Sequence, residues 1–341
     1  MSRRLVVDLA SPRAAWRVPD STVRAVRAAL GLGWEVVVVD APAVSDGDGG
    51  AGTDQAAAAV RGAEIYLGWG VPARVVEAGR ATLRWAHSGS AGVGDILARL
   101  DGTGIALTNS AGVHAEPIAD WVIAAIAYFA RGLDWMLEAQ RAGRWAKDDF
   151  TDGRYPVREL GALRLGIVGV GGIGGAVARR GAALGMSVAG VRRRPDRGPT
   201  GLRWVGGPDD VQRLASESDV LVIAAPHTPG TIGAVGRAVL ERLPRDAIVI
   251  NVSRGALLDE GALLALLDAG RLRGAALDVF ASEPLPSGHP FWRHPRVLVS
   301  PHASAVTTRF WERETALIVD NIRRYLAGTP LVNTVDPDAG Y

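Results

Sequence analysis

Apolar residues in this chain come in short runs set off by Gly, Pro, Asp and Arg. In the first third the runs are residues 5–9, 35–39, 65–67, 83–87 and 105–108. Short apolar runs bounded by turn formers predict buried strands of a parallel sheet. Residues 45–53, rich in Gly and Asp, predict an exposed, flexible loop. From 116 to 145 the pattern changes to one long helical stretch, punctuated at Gly132 and Gly143. Between 121 and 130 it is apolar round most of the helix. Such a helix needs cover from more than one side, as a core element or a subunit interface. A loop over 148–159 follows.

A second series then begins, with strands predicted at 163–168, Ser187–Val191, 220–224, Ala247–Asn251, 275–279 and 297–300. Six strands with helices between most of them predict an α/β, doubly wound dinucleotide fold. A last helix, 308–326, carries the chain back to the first domain. The first domain is then discontinuous, built from both ends of the sequence.

Composition narrows the field of functions. The 341 residues suffice for two domains, and 48% are hydrophobic, enough for two cores. Lysine and arginine number 38 against 36 acids, so nothing calls for nucleic acid or a membrane surface. With no cysteine, disulfides, thiolate chemistry and Cys-ligated metals are excluded. The six histidines are scattered without an HxxxH pair, and no metal is expected. The opening MSRRLVVDLASPRAAW has a short apolar run broken by Asp8, which reads as a first strand and not a secretory leader. The apolar run 121–130 is too short for a membrane span, which needs about 20 residues. The expectation is a soluble, cytoplasmic protein.

Gly169-Val170-Gly171-Gly172-Ile173-Gly174 fits GxGxxG, a weak signal in a chain with 43 glycines. Its place between a strand (163–168) and a helical run (175–184) strengthens it. Gly169 permits the tight turn, Gly171 lets amides approach a pyrophosphate, and Gly174 allows close helix–strand packing. NAD sites, and the rival methyltransferase sites, want a carboxylate after the second strand. Here that place reads Val191-Arg192-Arg193-Arg194-Pro195, with no acid before Asp196. Arg192 and Arg193 there suit a ribose 2′-phosphate, so NADPH is expected over NADH, with NAD possible.

Three further residues follow strand ends: Arg254 after AIVINVS, Glu283 after GAALDVF and His302 after RVLVS. Ligands of open parallel sheets bind beyond the carboxyl ends of the strands. A guanidinium, a carboxylate and an imidazole delivered to one edge suit a small carbonyl acid. Arg grips the carboxylate, His moves a proton and Glu orients the His. Each alone is more often structural; together, behind a dinucleotide turn, they favour catalysis. His87, His114, His289 and His294 lack such support and read as structural. Trp69, in LGWG (67–70), follows a strand of the first domain and either limits substrate size or simply packs.

These residues resemble the D-isomer-specific 2-hydroxyacid dehydrogenase family, in particular its glyoxylate/hydroxypyruvate reductase branch. The likeness spans residues 83–335. It is carried by SAGVGDI (90–96), TNSAGV (108–113), IADWVIAAIAYFAR (118–131), RAGRW (141–145), LGIVGVGGIG (165–174), NVSRGALLDEGALLALL (251–267), AALDVFASEPLP (275–286) and SPHAS (300–304).

The resemblance implies a Rossmann coenzyme domain over 112–303 and a smaller flavodoxin-like substrate domain from 1–111 and 304–341. It implies an active site in the cleft between them and a homodimer through the helix at 118–131. It gives Arg254 the substrate carboxylate, His302 the acid/base role and Glu283 the place behind His302. Amides near Ala91 and Gly92 would also hold the carboxylate, Asp278 would lie near the nicotinamide amide, and Thr228 along the cofactor. The implied activity is hydride transfer between NADP(H) and a small 2-oxo or 2-hydroxy acid. Formate or phosphite oxidation and a dinucleotide-sensing corepressor are the other functions this scaffold serves. A formate enzyme of the family typically has Gln where Glu283 stands, and the chain shows no obvious docking extension. Three positions depart from the family pattern: Gly94 for Asp, Asp120 for Glu and His227 for Leu.

Overall fold

The computed structural model describes residues 3–42, 50–198 and 200–336, with side chains at all but residues 94, 95 and 197. Residues 45–49 of the expected 45–53 loop, and the side chain at Gly94, lie outside what is described. The chain divides into two compact units, Met1–His114 with Val306–Tyr341, and Ala115–Ala305.

Among the described residues the first unit holds five strands: β1 (Arg3–Asp8), β2 (Trp34–Val38), β3 (Ile65–Gly68), β4 (Trp85–Ser88) and β5 (Ala106–Asn109). All are parallel, in the order β2-β1-β3-β4-β5. This is the flavodoxin-like order. Alternation along β1 shows why the sheet needs two covers. Leu5 and Val7 join one buried cluster with Ile318 and Ile322, while Val6 joins another with Val60 and Val75. The helix Phe310–Ala327 thus packs with the first unit, beside the helix Asp20–Leu30, and Thr22 and Thr315 hydroxyls meet at 2.7 Å.

The second unit holds β6 (Arg164–Val168), β7 (Ser187–Val191), β8 (Trp204–Gly206), β9 (Val220–Ile223), β10 (Ala247–Asn251), β11 (Leu272–Leu277) and β12 (Val297–Val299). The parallel order is β12-β11-β10-β9-β6-β7-β8. Counted from β6, that is the doubly wound 3-2-1-4-5-6 order with a seventh strand added. The strand order reverses between β6 and β9, beside the glycine turn, while every strand stays parallel.

Several elements differ from the sequence expectation; one is the expected loop 148–159, which opens with the short helix Lys147–Thr151. Seven strands form where six were expected, because β8 is only three half-buried residues at the edge of the sheet. β11 begins at Leu272, three residues before the expected 275, and includes Arg273. A buried arginine looks like a loop residue in sequence. Here its guanidinium is bidentate with Asp134 (2.8 and 2.6 Å) and stacks 3.6 Å from the Trp135 ring centroid. The stretch 116–145 is two helices, Ala115–Ala130 and Leu133–Arg141, broken at Gly132 with φ +67°. A Cβ on Gly132 would stand 2.8 Å from Trp135, so the break is built into the packing.

Along Ala115–Ala130, Val122, Ala125, Ile126 and Phe129 are buried in the core of the second unit. Asp120, the departure from Glu, accepts from Arg180 at 2.7 Å. Among the described residues no helix is long and apolar enough to cross a membrane.

Candidate active site

Every strand of the second unit runs the same way, so the segments after β6, β7, β9, β10, β11 and β12 all leave one edge of the sheet. The glycine turn follows β6. Gly169 adopts φ +97°, and its N–H and that of Val170 donate to Val191 O at 2.9 and 3.3 Å. A Cβ on Gly169 would lie 2.4 Å from Ala225 backbone, and one on Gly174 would lie 2.1 Å from Gly169 O. Neither position admits a side chain. Gly171 is the opposite case: a Cβ there meets nothing within 4 Å. The helix Gly172–Ala183 starts at that open space, and its first amides, including those of Gly172 and Ile173, have no helical acceptors. An open, side-chain-free helix start with unengaged donors fits a dinucleotide pyrophosphate.

After β7 the backbone of Arg192 donates to Gly206 O at 3.0 Å, and no acid stands between Val191 and Pro195. Arg193 and Arg194 are exposed there. After β9 the segment 226–231 is a tight turn. Thr231 Oγ1 donates to Pro226 O at 2.6 Å and accepts from Thr228 N at 2.8 Å. Thr228 is half-buried and His227 exposed.

Arg254 stands in a segment that Asn251 shapes. The Asn251 carboxamide accepts from Ser253 N (3.1 Å) and donates to Arg254 O (3.2 Å), while Ser253 Oγ donates to Ala225 O. The Arg254 side chain is exposed and donates from Nη1 to Ser253 O at 2.7 Å. The next residue, Gly255, is where two loops meet: a Cβ there would lie 1.9 Å from the Phe280 carbonyl carbon. Glu260 Oε1 accepts from Ala281 N at 2.7 Å across the same seam. Arg254 is thereby set beside the segment leading to Glu283, although it bonds to neither Glu283 nor His302.

Glu283 and His302 do meet. Glu283 Oε1 accepts from Phe280 N at 2.9 Å, and Oε2 lies 2.8 Å from His302 Nδ1. An ionised carboxylate only accepts, so Nδ1 carries a hydrogen there. Nε2 has no hydrogen-bond partner among the described residues, on a ring whose side chain is 46% exposed. His302 sits at φ +53°, a left-handed conformation uncommon for a non-glycine residue. Its backbone is held there by Asp278, whose carbonyl accepts from His302 N at 2.9 Å.

The Asp278 carboxylate, only 1% exposed, accepts from Ser300 Oγ (2.6 Å), Ala303 N (2.8 Å), and the N and Oγ of Ser304. Both oxygens are turned into the segment 300–304. The resemblance had placed Asp278 at the cofactor; in the structure its carboxylate grips the loop that carries His302. Among the described residues no cluster of His, Cys, Asp or Glu is arranged to hold a metal ion.

In the first unit, Ala91 and Gly92 lie on an exposed turn after β4. Asn109 Nδ2 donates to Ala91 O at 2.9 Å, Ser110 N to Ser90 O at 3.4 Å, and Ser110 Oγ to Ser88 O at 3.0 Å. The carbonyls are tied down, and the amides of Ala91 and Gly92 find no acceptor among the described residues. Asn109 and Ser110 were not among the residues expected from sequence, though TNSAGV (108–113) contains both. Trp69 is half-buried, donates from Nε1 to Leu9 O at 3.2 Å and stacks on Phe310 at 5.7 Å. Trp16 and Trp311 flank it at 5.9 and 5.8 Å, so it belongs to an aromatic cluster of that unit.

Residues 123–304 match the family model described as D-isomer specific 2-hydroxyacid dehydrogenase, NAD binding domain. The chain belongs to this family. It is 34% identical over 263 residues to glyoxylate/hydroxypyruvate reductase A of Yersinia enterocolitica, a match covering 75% of each chain. Among solved structures it resembles a D-isomer specific 2-hydroxyacid dehydrogenase from Xanthobacter autotrophicus Py2, in complex with NADPH and MES. That likeness has a TM-score of 0.79 and 31% identity over the whole of both chains. It also resembles an NADPH-dependent glyoxylate/hydroxypyruvate reductase from Sinorhizobium meliloti, in complex with NADP and sulfate, at TM-score 0.77 and 26% identity. There 99% of this chain and 100% of that one are covered.

Proposed function

We propose that the chain is an NADPH-dependent reductase of small 2-oxo acids, yielding D-2-hydroxy acids, with glyoxylate and hydroxypyruvate as the model substrates. The observation that carries this reading is His302. Its Nδ1 is engaged by Glu283 at 2.8 Å and its Nε2 is unpartnered, on the sheet edge that also carries Arg254 and the glycine turn.

The cofactor supplies a hydride when bound. Gly169, Gly171, Gly172, Ile173 and Gly174 would hold its pyrophosphate, Arg192 and Arg193 would pair with its 2′-phosphate, and Thr228 would contact it. Arg254 pairs with the substrate carboxylate, and a guanidinium can do so with two parallel hydrogen bonds. The amides of Ala91 and Gly92 are further donors for that anion. His302 Nε2–H gives its proton to the carbonyl oxygen as that oxygen gains negative charge. Glu283 stabilises the imidazolium that precedes this transfer and fixes which nitrogen faces the substrate. Asp278 acts one step back, holding the 300–304 segment and with it the His302 ring. Trp69 bears on substrate size only through the aromatic cluster that holds it.

The protein is further proposed to work as a cytoplasmic homodimer through the helix at 118–131, whose Trp121, Ile123 and Tyr128 are only partly buried. Leu133, Met136 and Leu137 are about 40% exposed on one helix face next to Ala115–Ala130, and Trp145 is 90% exposed. A face of this kind asks for a protein cover. A monomeric mass by light scattering at micromolar concentration would count against it. The activity is tested by following NADPH oxidation with glyoxylate, hydroxypyruvate and pyruvate. No turnover with any of them, alongside intact NADPH binding, would move the protein to a binding role.

A further inference from the structure

We infer that Ser110, braced from within by Glu314 and His87, is a positioning residue for the substrate carboxylate. The inference rests on the proposed role of the Ala91 and Gly92 amides.

Ser110 follows β5 and is fully buried. Its hydroxyl reaches Ser88 O at 3.0 Å and Glu314 Oε1 at 3.0 Å, with His87 Nε2 at 3.4 Å. One hydroxyl has one proton, shared here between the carbonyl that opens the 88–92 turn and a carboxylate. Glu314 comes from the helix Phe310–Ala327, far away in sequence, and its Oε1 also lies 2.9 Å from His87 Nε2. His87 Nδ1 is in turn 2.8 Å from Thr108 Oγ1, which accepts from Trp85 Nε1 at 2.8 Å. The chain of contacts therefore runs from the centre of the first unit out to the turn.

Such a network is expensive. His87 and Glu314 are both 0% exposed, and Glu314 Oε2 has no hydrogen-bond partner among the described residues. Apolar residues of the same volume are often neutral or stabilising in place of a buried ionisable pair. Stability alone is a poor reason for this set of residues. What the set accomplishes is geometric. With Asn109 Nδ2 on Ala91 O and Ser110 N on Ser90 O, it fixes three carbonyls of the turn from one side. The amides of Ala91 and Gly92 are then left without an internal acceptor and available to an anion. A turn free to relax would satisfy those amides internally and lose its grip on a carboxylate.

The test is steady-state reduction of glyoxylate at saturating NADPH by the full-length parent, Ser110→Ala, Glu314→Gln and Ala91→Pro. Ser110→Ala is expected to raise KM about five- to tenfold, the equivalent of one lost hydrogen bond, with kcat and NADPH affinity nearly unchanged. Glu314→Gln keeps the shape but weakens the acceptor, and should raise KM in the same direction by less. Ala91→Pro deletes an amide of the cradle and should raise KM at least as much. An unmoved KM in Ala91→Pro sinks the proposed role of the amides. A raised KM in Ala91→Pro with no change in Ser110→Ala and Glu314→Gln overturns this inference alone. A KM rise matched by an equal loss of NADPH affinity also overturns it, because general loosening then explains the effect. If Ser110→Ala does not fold, Glu314→Gln decides.

Discussion

Replacing Glu283 by Gln asks the most of the proposed site for the least change in shape. Two donors converge on this side chain, Phe280 N–H at 2.9 Å and the His302 Nδ1 position at 2.8 Å. A carboxylate accepts from both. A carboxamide has one oxygen and one NH2, so it serves one and opposes the other. If its oxygen keeps Phe280, the NH2 faces Nδ1 and that nitrogen cannot carry a hydrogen. The imidazolium needed for proton donation is then disfavoured twice, by loss of the anion and by a donor facing a donor. A hydrogen bond to a charged group is worth about 1.5–3 kcal/mol, and this pair, with side chains 46% and 34% exposed, belongs at the lower end. Adding about 1 kcal/mol for the misplaced donor gives about 2–3 kcal/mol, or a ~30–150-fold loss of kcat. The assay is glyoxylate reduction under saturating NADPH, with NADPH affinity measured separately by fluorescence. His302→Ala sets the floor, with a loss of about 10²–10⁴-fold. A kcat within threefold of the parent in Glu283→Gln would refute the coupling of Glu283 to the proton donor.

Further outcomes follow from other parts of the molecule. Replacing Arg192 and Arg193 together by Ala should weaken NADPH binding strongly and leave NADH binding almost unchanged; equal dissociation constants for both cofactors in the parent would contradict this. Asp134→Ala strands Arg273, whose guanidinium is 6% exposed, and should cost about 3–5 kcal/mol in urea unfolding, since a buried charge is left without its partner. His114 is held below its ordinary value of 6.5 by burial, so its folded form resists protonation. The unfolded chain then binds more protons as pH falls below about 7, and stability should decline in that window. In His114→Phe the decline should be shallower, read as melting temperature against pH.

Much of the fold was legible because parallel strands buried on both faces announce themselves as short apolar runs. β7 and β10 were delimited from sequence alone, and the glycine turn was given away by its setting between strand and helix. Much of the rest depends on partners that only tertiary structure supplies. The expected strand began only after Arg273, because Asp134 and Trp135, far off in sequence, are what make its burial tolerable. The resemblance implied a place near the cofactor for Asp278, and nothing local revealed that four donors of residues 300–304 converge on its carboxylate. β8 is short and at an edge, so it carries almost no pattern. Ser110, Glu314 and His87 were scattered polar residues until β4, β5 and the last helix brought them together. The proximity of Glu283 and His302 followed from strand order, whereas Arg254 shares their edge without touching them.

The first unit borrows its last helix from the far end of the chain, and that has a consequence for biosynthesis. Residues 115–305 form a contiguous unit and can close as soon as they leave the ribosome. The earlier-made β1, β3 and β4 cannot. The face formed by Leu5, Val7, Ile65, Leu67 and Trp85 lacks Ile318 and Ile322 until the helix Phe310–Ala327 has emerged. At about 5–20 residues per second, some 200 intervening residues leave that apolar face covered only in part, by Val26 and Leu30 of the helix Asp20–Leu30, for roughly 10–40 s. His87 waits as long for Glu314. The N-terminal third of this polypeptide is therefore its last part to mature, and the stretch most in need of a chaperone.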